Sequence, residues 1–199
     1  MNWYEEEVRA LERVVARRGR EDRPPVFYGS SSFRLWDTLS DDIGPEVLNL
    51  GFGGSTLEAC DCFFERLVPP ARPRSLLLYA GDNDLGDGRS VEAVVKSFRS
   101  LAARVGASLG GIPFGFVSVK PSPARYPLLD RIRSANKAVR AEIEGMPGGY
   151  FVDVFSAMVD SRGWPKGEFF QEDGLHLNRE GYLLWSQLLE PYRNRIFTE

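Results

Sequence analysis

The chain of 199 residues has one histidine, His176, and two cysteines, Cys60 and Cys62. Each scarcity excludes a class of chemistry. Cysteines one residue apart suit neither a disulfide framework nor the CxxC spacing of a zinc site, and a single histidine leaves no cluster to hold a metal. No stretch approaches ~20 consecutive apolar residues, so no membrane-spanning segment is expected. Neither sign of charge dominates: 25 Lys and Arg stand against 28 Asp and Glu, a net charge of -3. With both signs spread along the chain, there is no basic stripe for nucleic acid and no polybasic tail for a membrane surface. The start, MNWYEEEVRALERVVARR, places acids where a secretory peptide carries basic residues, and it lacks a continuous apolar core. A cytoplasmic location fits these features. Internal repeats, linkers and low-complexity tracts are also missing, so residues 1–199 are expected to form one domain.

What is present is an alternation of short apolar runs with longer amphipathic ones. Tyr4, Val8, Leu11 and Val15 recur at helical spacing, predicting a helix over about 3–18 packed on the domain. Five strand-length runs follow: VFY (26–28), VLNL (47–50), SLLLYA (75–80), FGFVSV (114–119) and YFVDVF (150–155). Several are apolar on both faces, as strands buried within a parallel sheet are. Between them, Val91 to Val105 trace one helical face behind a candidate Ser90 cap, and Leu128 to Ile143 trace another stopped by Gly145. A last helix is expected to begin near Asn178. The pattern predicts an α/β fold: a three-layer α/β/α sandwich around a mostly parallel sheet of roughly five strands.

In such sheets, ligands gather at the carboxyl ends of strands near the topological switch point. Those ends carry GSSS, NLGFGGST, GDNDLGDG and SVKPSP, with QEDGLHLN before the last helix. Read alone, GSSS is a helix cap, its serine oxygens accepting from orphan backbone N–H groups. The same turn also suits a nucleophile, and a serine hydroxyl needs a base to take its proton. His176 is the one possible imidazole base. Asp173, three residues earlier at the expected start of a helix, can share a side with it and fix its tautomer. Other readings fail on spacing. GFGGST lacks the last glycine of a dinucleotide fingerprint. DNDLGDG imitates a calcium loop, but Gly86 takes its third ligand position and Ala93 the place of the twelfth-position glutamate. Asp82 and Asp84 are read as caps of the turn around Asn83, and Asp153 as a structural residue inside the fifth strand. Lys120, Ser122, Arg125, Phe33, Trp36 and Phe52 are candidates to shape a pocket, although aromatics that flank strands, as these three do, are more often core.

Taken together, FYGSSS, NLGFGGST, GDND and DGLH resemble the SGNH hydrolases, the GDSL-type esterase superfamily, in kind and in order. The resemblance spans residues 27 to 176. It implies a flavodoxin-like SGNH hydrolase fold and a serine hydrolase acting on a small acyl ester, such as a carbohydrate O-acetyl ester, with no cofactor and no metal. It implies Ser31 as nucleophile, His176 as base and Asp173 as the residue that orients the base. Ser31, Gly54 and Asn83 are implied as the oxyanion hole, Gly54 following from the N-x-x-x-x-G spacing counted from Asn49. Ser30 stands where the family usually has an aspartate. Activity is expected to rise with pH as the imidazole loses its proton, near ~6.5 for a free side chain. The competing reading is a flavodoxin-like module that binds a phosphate or flavin phosphate at the first turn without hydrolysis.

Overall fold

The computed structural model describes residues 1–19 and 21–198. Five strands form one all-parallel sheet: β1 (Pro25–Gly29), β2 (Leu48–Gly51), β3 (Ser75–Tyr79), β4 (Phe114–Val117) and β5 (Gly149–Val152). Their order is β2-β1-β3-β4-β5, so the chain winds outward from β1 in both directions and the switch point lies between β1 and β3. The register aligns Gly29 with Gly51 on one side and with Tyr79 on the other. The three turns that follow these residues therefore emerge side by side at one edge.

The helices are α1 (Glu5–Ala16), α2 (Ser31–Arg34), α3 (Leu39–Asp42), α4 (Leu57–Leu67), α5 (Asp82–Gly86), α6 (Val91–Leu109), α7 (Leu129–Glu144), α8 (Arg179–Leu189) and α9 (Arg193–Ile196). They form two layers because the strands are apolar on both faces. On one face Val26, Tyr28, Leu76, Leu78 and Phe116 pack with α1, α4, α6 and α7. On the other, Phe27, Leu77, Tyr79 and Val117 pack with Trp36, Tyr182 and Trp185 from the α2–α3 segment and α8.

Local signals set several boundaries. The Ser90 hydroxyl accepts from Ala93 N–H at 3.2 Å and starts α6. Asn178 accepts from Gly181 N–H at 3.0 Å and starts α8. Gly145 ends α7. The first helix is shorter than the periodicity predicts: residues 2–4 form a tighter turn before α1. β5 stops at Val152, so Asp153 lies beyond the strand, where its carboxylate caps the next turn at Ser156 N–H, 3.0 Å away. A structural role for Asp153 stands, but not a place within a strand.

Candidate active site

The nucleophile turn is built by close approach. At Gly29 (φ +143°) a Cβ would lie 1.9 Å from the Tyr79 carbonyl oxygen, so only glycine lets β1 and β3 end this near each other. Ser30 N–H donates to that oxygen at 2.9 Å, and the chain turns at once into α2. Ser30 holds the cap position, yet its side chain makes no capping bond, which corrects the reading of GSSS as a cap. Burial then separates the three serines. Ser30 is 2% exposed and Ser32 1%, whereas Ser31 is partly open. Among the described residues, Ser31 N–H has no acceptor, as expected for the first donor of a helix.

Asn49 joins this turn to the next. Its amide nitrogen donates to Phe33 O at 2.6 Å, and its amide oxygen accepts from Gly51 N–H at 3.0 Å. The asparagine that heads the NLGFGG block thus ties α2 to the end of β2. The loop then reaches Gly54, whose φ of +67° favours glycine and whose N–H has no acceptor among the described residues.

The third turn is sewn to the second. Asn83 Nδ2 donates to Ser55 O at 3.1 Å, leaving the second hydrogen of the amide uncommitted. Asp84 Oδ2 accepts Leu57 N–H at 2.9 Å, so Asp84 anchors the start of α4. Burial pushes the Asp84 carboxyl upward, opposed by that N–H. Asp82 pairs with Lys120, Oδ2 to Nζ at 2.8 Å, and Tyr79 OH lies 3.2 Å from the same nitrogen. Arg125 Nε approaches the other Asp82 oxygen at 3.5 Å. Neither aspartate caps its own turn: the cap position belongs to Gly81, and both carboxylates serve neighbouring elements.

Lys120 is 1% exposed. Burial opposes its charge, but the Asp82 carboxylate and Tyr79 outweigh that opposition and hold its pKa above the ordinary lysine value. Lys120, Ser122, Phe33, Trp36 and Phe52 all lie in the interior, so these five do not line an open pocket. A sequence pattern does not separate them from rim residues, because partners such as Asp82 and Trp185 lie far away in the chain.

The fourth block folds as a turn before α8, rather than at the start of a helix. Asp173 Oδ1 accepts both Leu175 N–H and His176 N–H at 2.9 Å, and this turn carries the imidazole back to the same carboxylate. His176 Nδ1 lies 2.6 Å from Asp173 Oδ2. The backbone N–H groups of His176 and Leu175, then the ring itself, lower the Asp173 pKa to about 2. With an ionised carboxylate at Nδ1, the neutral ring carries its proton on Nδ1 and presents Nε2 as the basic nitrogen. Gly174 O accepts from Ala124 N–H at 3.0 Å, docking this turn on the PSPAR loop after β4. Ser31 and His176 share no hydrogen bond here; such contacts tighten when substrate binds.

A depressed carboxylate contributes stability above its unfolded pKa, near 4, and loses it as the pH falls through the folded value of about 2. Asp173 should therefore titrate near pH 2 by carboxyl carbon NMR. It should remain depressed in His176→Ala, because two backbone donors are the leading causes. A return to the ordinary range in that variant would show the ring to be the main cause instead.

The sequence-predicted residues thus fall into two groups, one on the turns after β1, β2 and β3 and one on the turn docked against the loop after β4. Ser31, Gly54 and Asn83 follow three adjacent strands, and Asp173 and His176 are hydrogen-bonded to each other. The spacing within single motifs could not show that the N-terminal segment reaches this site. Trp3, Tyr4 and Glu7 all contact the Gly53–Gly54 loop.

Comparisons with known proteins bear on the family and the fold. The chain is 28% identical over 195 residues to the platelet-activating factor acetylhydrolase IB subunit alpha1 of Bos taurus, covering 90% of this chain and 79% of that one. Its fold is similar to that of a GDSL-like lipase from Bacteroides thetaiotaomicron (TM-score 0.80, 22% identity, 94% and 97% of the two chains). It is also similar to an acetylxylan esterase from Geobacillus stearothermophilus (TM-score 0.68, 15% identity, 92% and 97%). The model of the GDSL-like lipase/acylhydrolase family matches residues 8–184, across all four motif blocks, and the chain belongs to that family.

Proposed function

We propose that this protein hydrolyses small acyl esters, acetyl esters foremost, through an acyl-enzyme on Ser31. The observation that carries the reading is the 2.6 Å contact of His176 Nδ1 with Asp173, because it leaves Nε2 of the one histidine free to act as a base. Ser31 Oγ attacks the ester carbonyl and passes its proton to Nε2. The tetrahedral oxyanion accepts from Ser31 N–H, Gly54 N–H and the Asn83 amide. The C–O bond to the alcohol then breaks, and the alcohol leaves with the proton from Nε2. Water, deprotonated by the same nitrogen, attacks the acyl-serine; Ser31 regains its proton, and a carboxylic acid departs.

The preference for acetyl rests on two proteins that this chain resembles, named as an acetylhydrolase and an acetylxylan esterase. A carbohydrate O-acetyl ester is a natural-substrate class that fits it. The alternative phosphate-binding role gains nothing from the structure of the first turn: α2 has four residues, too few aligned peptides to build a strong dipole. The test is a series of p-nitrophenyl esters with acetylated xylan as a polymeric substrate. The acetate should exceed the octanoate in kcat/KM by about 10-fold or more, the scale on which a small apolar pocket discriminates chain length. A preference for octanoate would overturn the small-acyl assignment.

A further inference from the structure

The N-terminal segment grips the loop that carries Gly54. Glu7 Oε2 accepts Gly53 N–H at 2.6 Å, and the Tyr4 hydroxyl donates to Gly54 O at 3.0 Å. The Trp3 ring lies so close to Gly54 that a Cβ there would stand 2.8 Å from it. These contacts fix the peptide planes on either side of the 53–54 peptide, the one whose N–H is proposed to meet the oxyanion. Two successive glycines give that peptide the widest backbone freedom in the chain's repertoire. An oxyanion donor, by contrast, must be aimed before the reaction.

Glu7 also faces the nucleophile turn. Its Oε1 lies 3.8 Å from Arg34 Nη1, and Arg34 ends the single helical turn that Ser31 begins. Tyr4 is set by the core, edge-on to Phe52 at 5.4 Å and to Phe63 at 6.0 Å. The helix has separate anchors away from the site: Glu5 and Glu12 both pair with Arg66 of α4, at 2.8 and 2.7 Å. Docking α1 to the fold therefore does not need Glu7.

From these contacts, and resting on the acyl-ester reading above, we propose that Glu7 is a positioning residue of the active site. It holds the Gly53–Gly54 loop in register with the Ser31 turn, with Tyr4 as its second clamp. Function then extends to a helix outside the four motif blocks.

The test compares Glu7→Ala, Glu7→Gln, Tyr4→Phe and Glu12→Gln with the unaltered full chain, measuring kcat and KM on p-nitrophenyl acetate and the melting temperature. Glu7→Ala should lose about 10- to 100-fold in kcat with little change in KM, the scale of a misplaced catalytic donor. Glu7→Gln should recover most of that loss, because an amide oxygen still accepts Gly53 N–H. Tyr4→Phe, which removes one hydroxyl and leaves the ring packing, should lower kcat in the same sense. Glu12→Gln should lower the melting temperature and leave kcat intact. Wild-type kcat in both Glu7→Ala and Tyr4→Phe would overturn the proposal while leaving the hydrolase reading in place. If Glu7→Ala fails to fold, wild-type kcat in Tyr4→Phe alone overturns the clamp. An unaltered chain with no esterase activity would overturn the hydrolase reading itself, and this proposal with it.

Discussion

Ser31→Ala is expected to lower ester hydrolysis by about 10⁴-fold or more, the cost of removing the nucleophile from a serine–histidine–aspartate arrangement. The expectation is specific to this serine. Ser30 and Ser32 are sealed in the interior, at 2% and 1% exposed, and Ser31 alone of the three is partly open. Its own N–H is uncommitted among the described residues, so in the proposed mechanism the attacking oxygen and one oxyanion donor belong to the same residue. Ser30→Ala and Ser32→Ala should keep most of the activity. The check is kcat/KM on p-nitrophenyl acetate for all three variants, with circular dichroism to confirm folding. A Ser32→Ala variant that loses activity while Ser31→Ala keeps it would move the nucleophile by one residue and invalidate the burial argument.

The second large effect is expected at Asn83. Asn83→Asp should reduce kcat by about 10²- to 10³-fold, the usual cost of one oxyanion-hole donor. The substitution changes the sign of the interaction as well as removing it. The Asn83 amide donates one hydrogen to Ser55 O at 3.1 Å, and its other hydrogen is assigned to the substrate oxyanion. An ionised aspartate would set acceptor against acceptor at both points. KM should change much less than kcat, since the donor is needed most when charge develops on the carbonyl oxygen. Equal losses in Asn83→Asp and Asn83→Ala would show that the missing donor, more than the added charge, sets the cost. Normal turnover in both would remove Asn83 from the mechanism.

The sheet was legible because its strands are buried on both faces, a composition that few other elements share. SLLLY and FGFV can be assigned to a parallel sheet without knowing their neighbours. Ser90 was legible as a cap, and the start of the last helix near Asn178 as a boundary, because a cap is a local contact, three residues from side chain to backbone. The Asp173–His176 pair was legible for the same reason, although a turn, held by two hydrogen bonds to Asp173 Oδ1, brings them together in place of a helix.

What sequence pattern missed is tertiary. The contact of Glu7 with Gly53 crosses 46 positions and that of Lys120 with Asp82 crosses 38, and no periodicity encodes either. Lys120, a candidate to shape a pocket on sequence, lies in the interior, where lysines are rare. It is tolerated inside because Asp82 and Tyr79 meet its ammonium group. Phe33, Trp36 and Phe52 could on sequence shape a pocket or, as aromatics flanking strands, belong to the core. Strand ends are also where the two cores close over the sheet, and burial claimed them. The cap reading of GSSS failed because the Phe33 N–H that a capping hydroxyl would meet is donated to the Ser30 backbone carbonyl instead, at 2.9 Å.

The central claim is that one serine is activated by the one histidine. Labelling the full chain with a small fluorophosphonate, followed by peptide mass spectrometry, tests it most directly when run beside His176→Ala. The account predicts a single adduct on Ser31 that forms rapidly in the unaltered protein and is lost, or slowed by orders of magnitude, in the variant. Labelling of another residue, or equal labelling with and without His176, would contradict it.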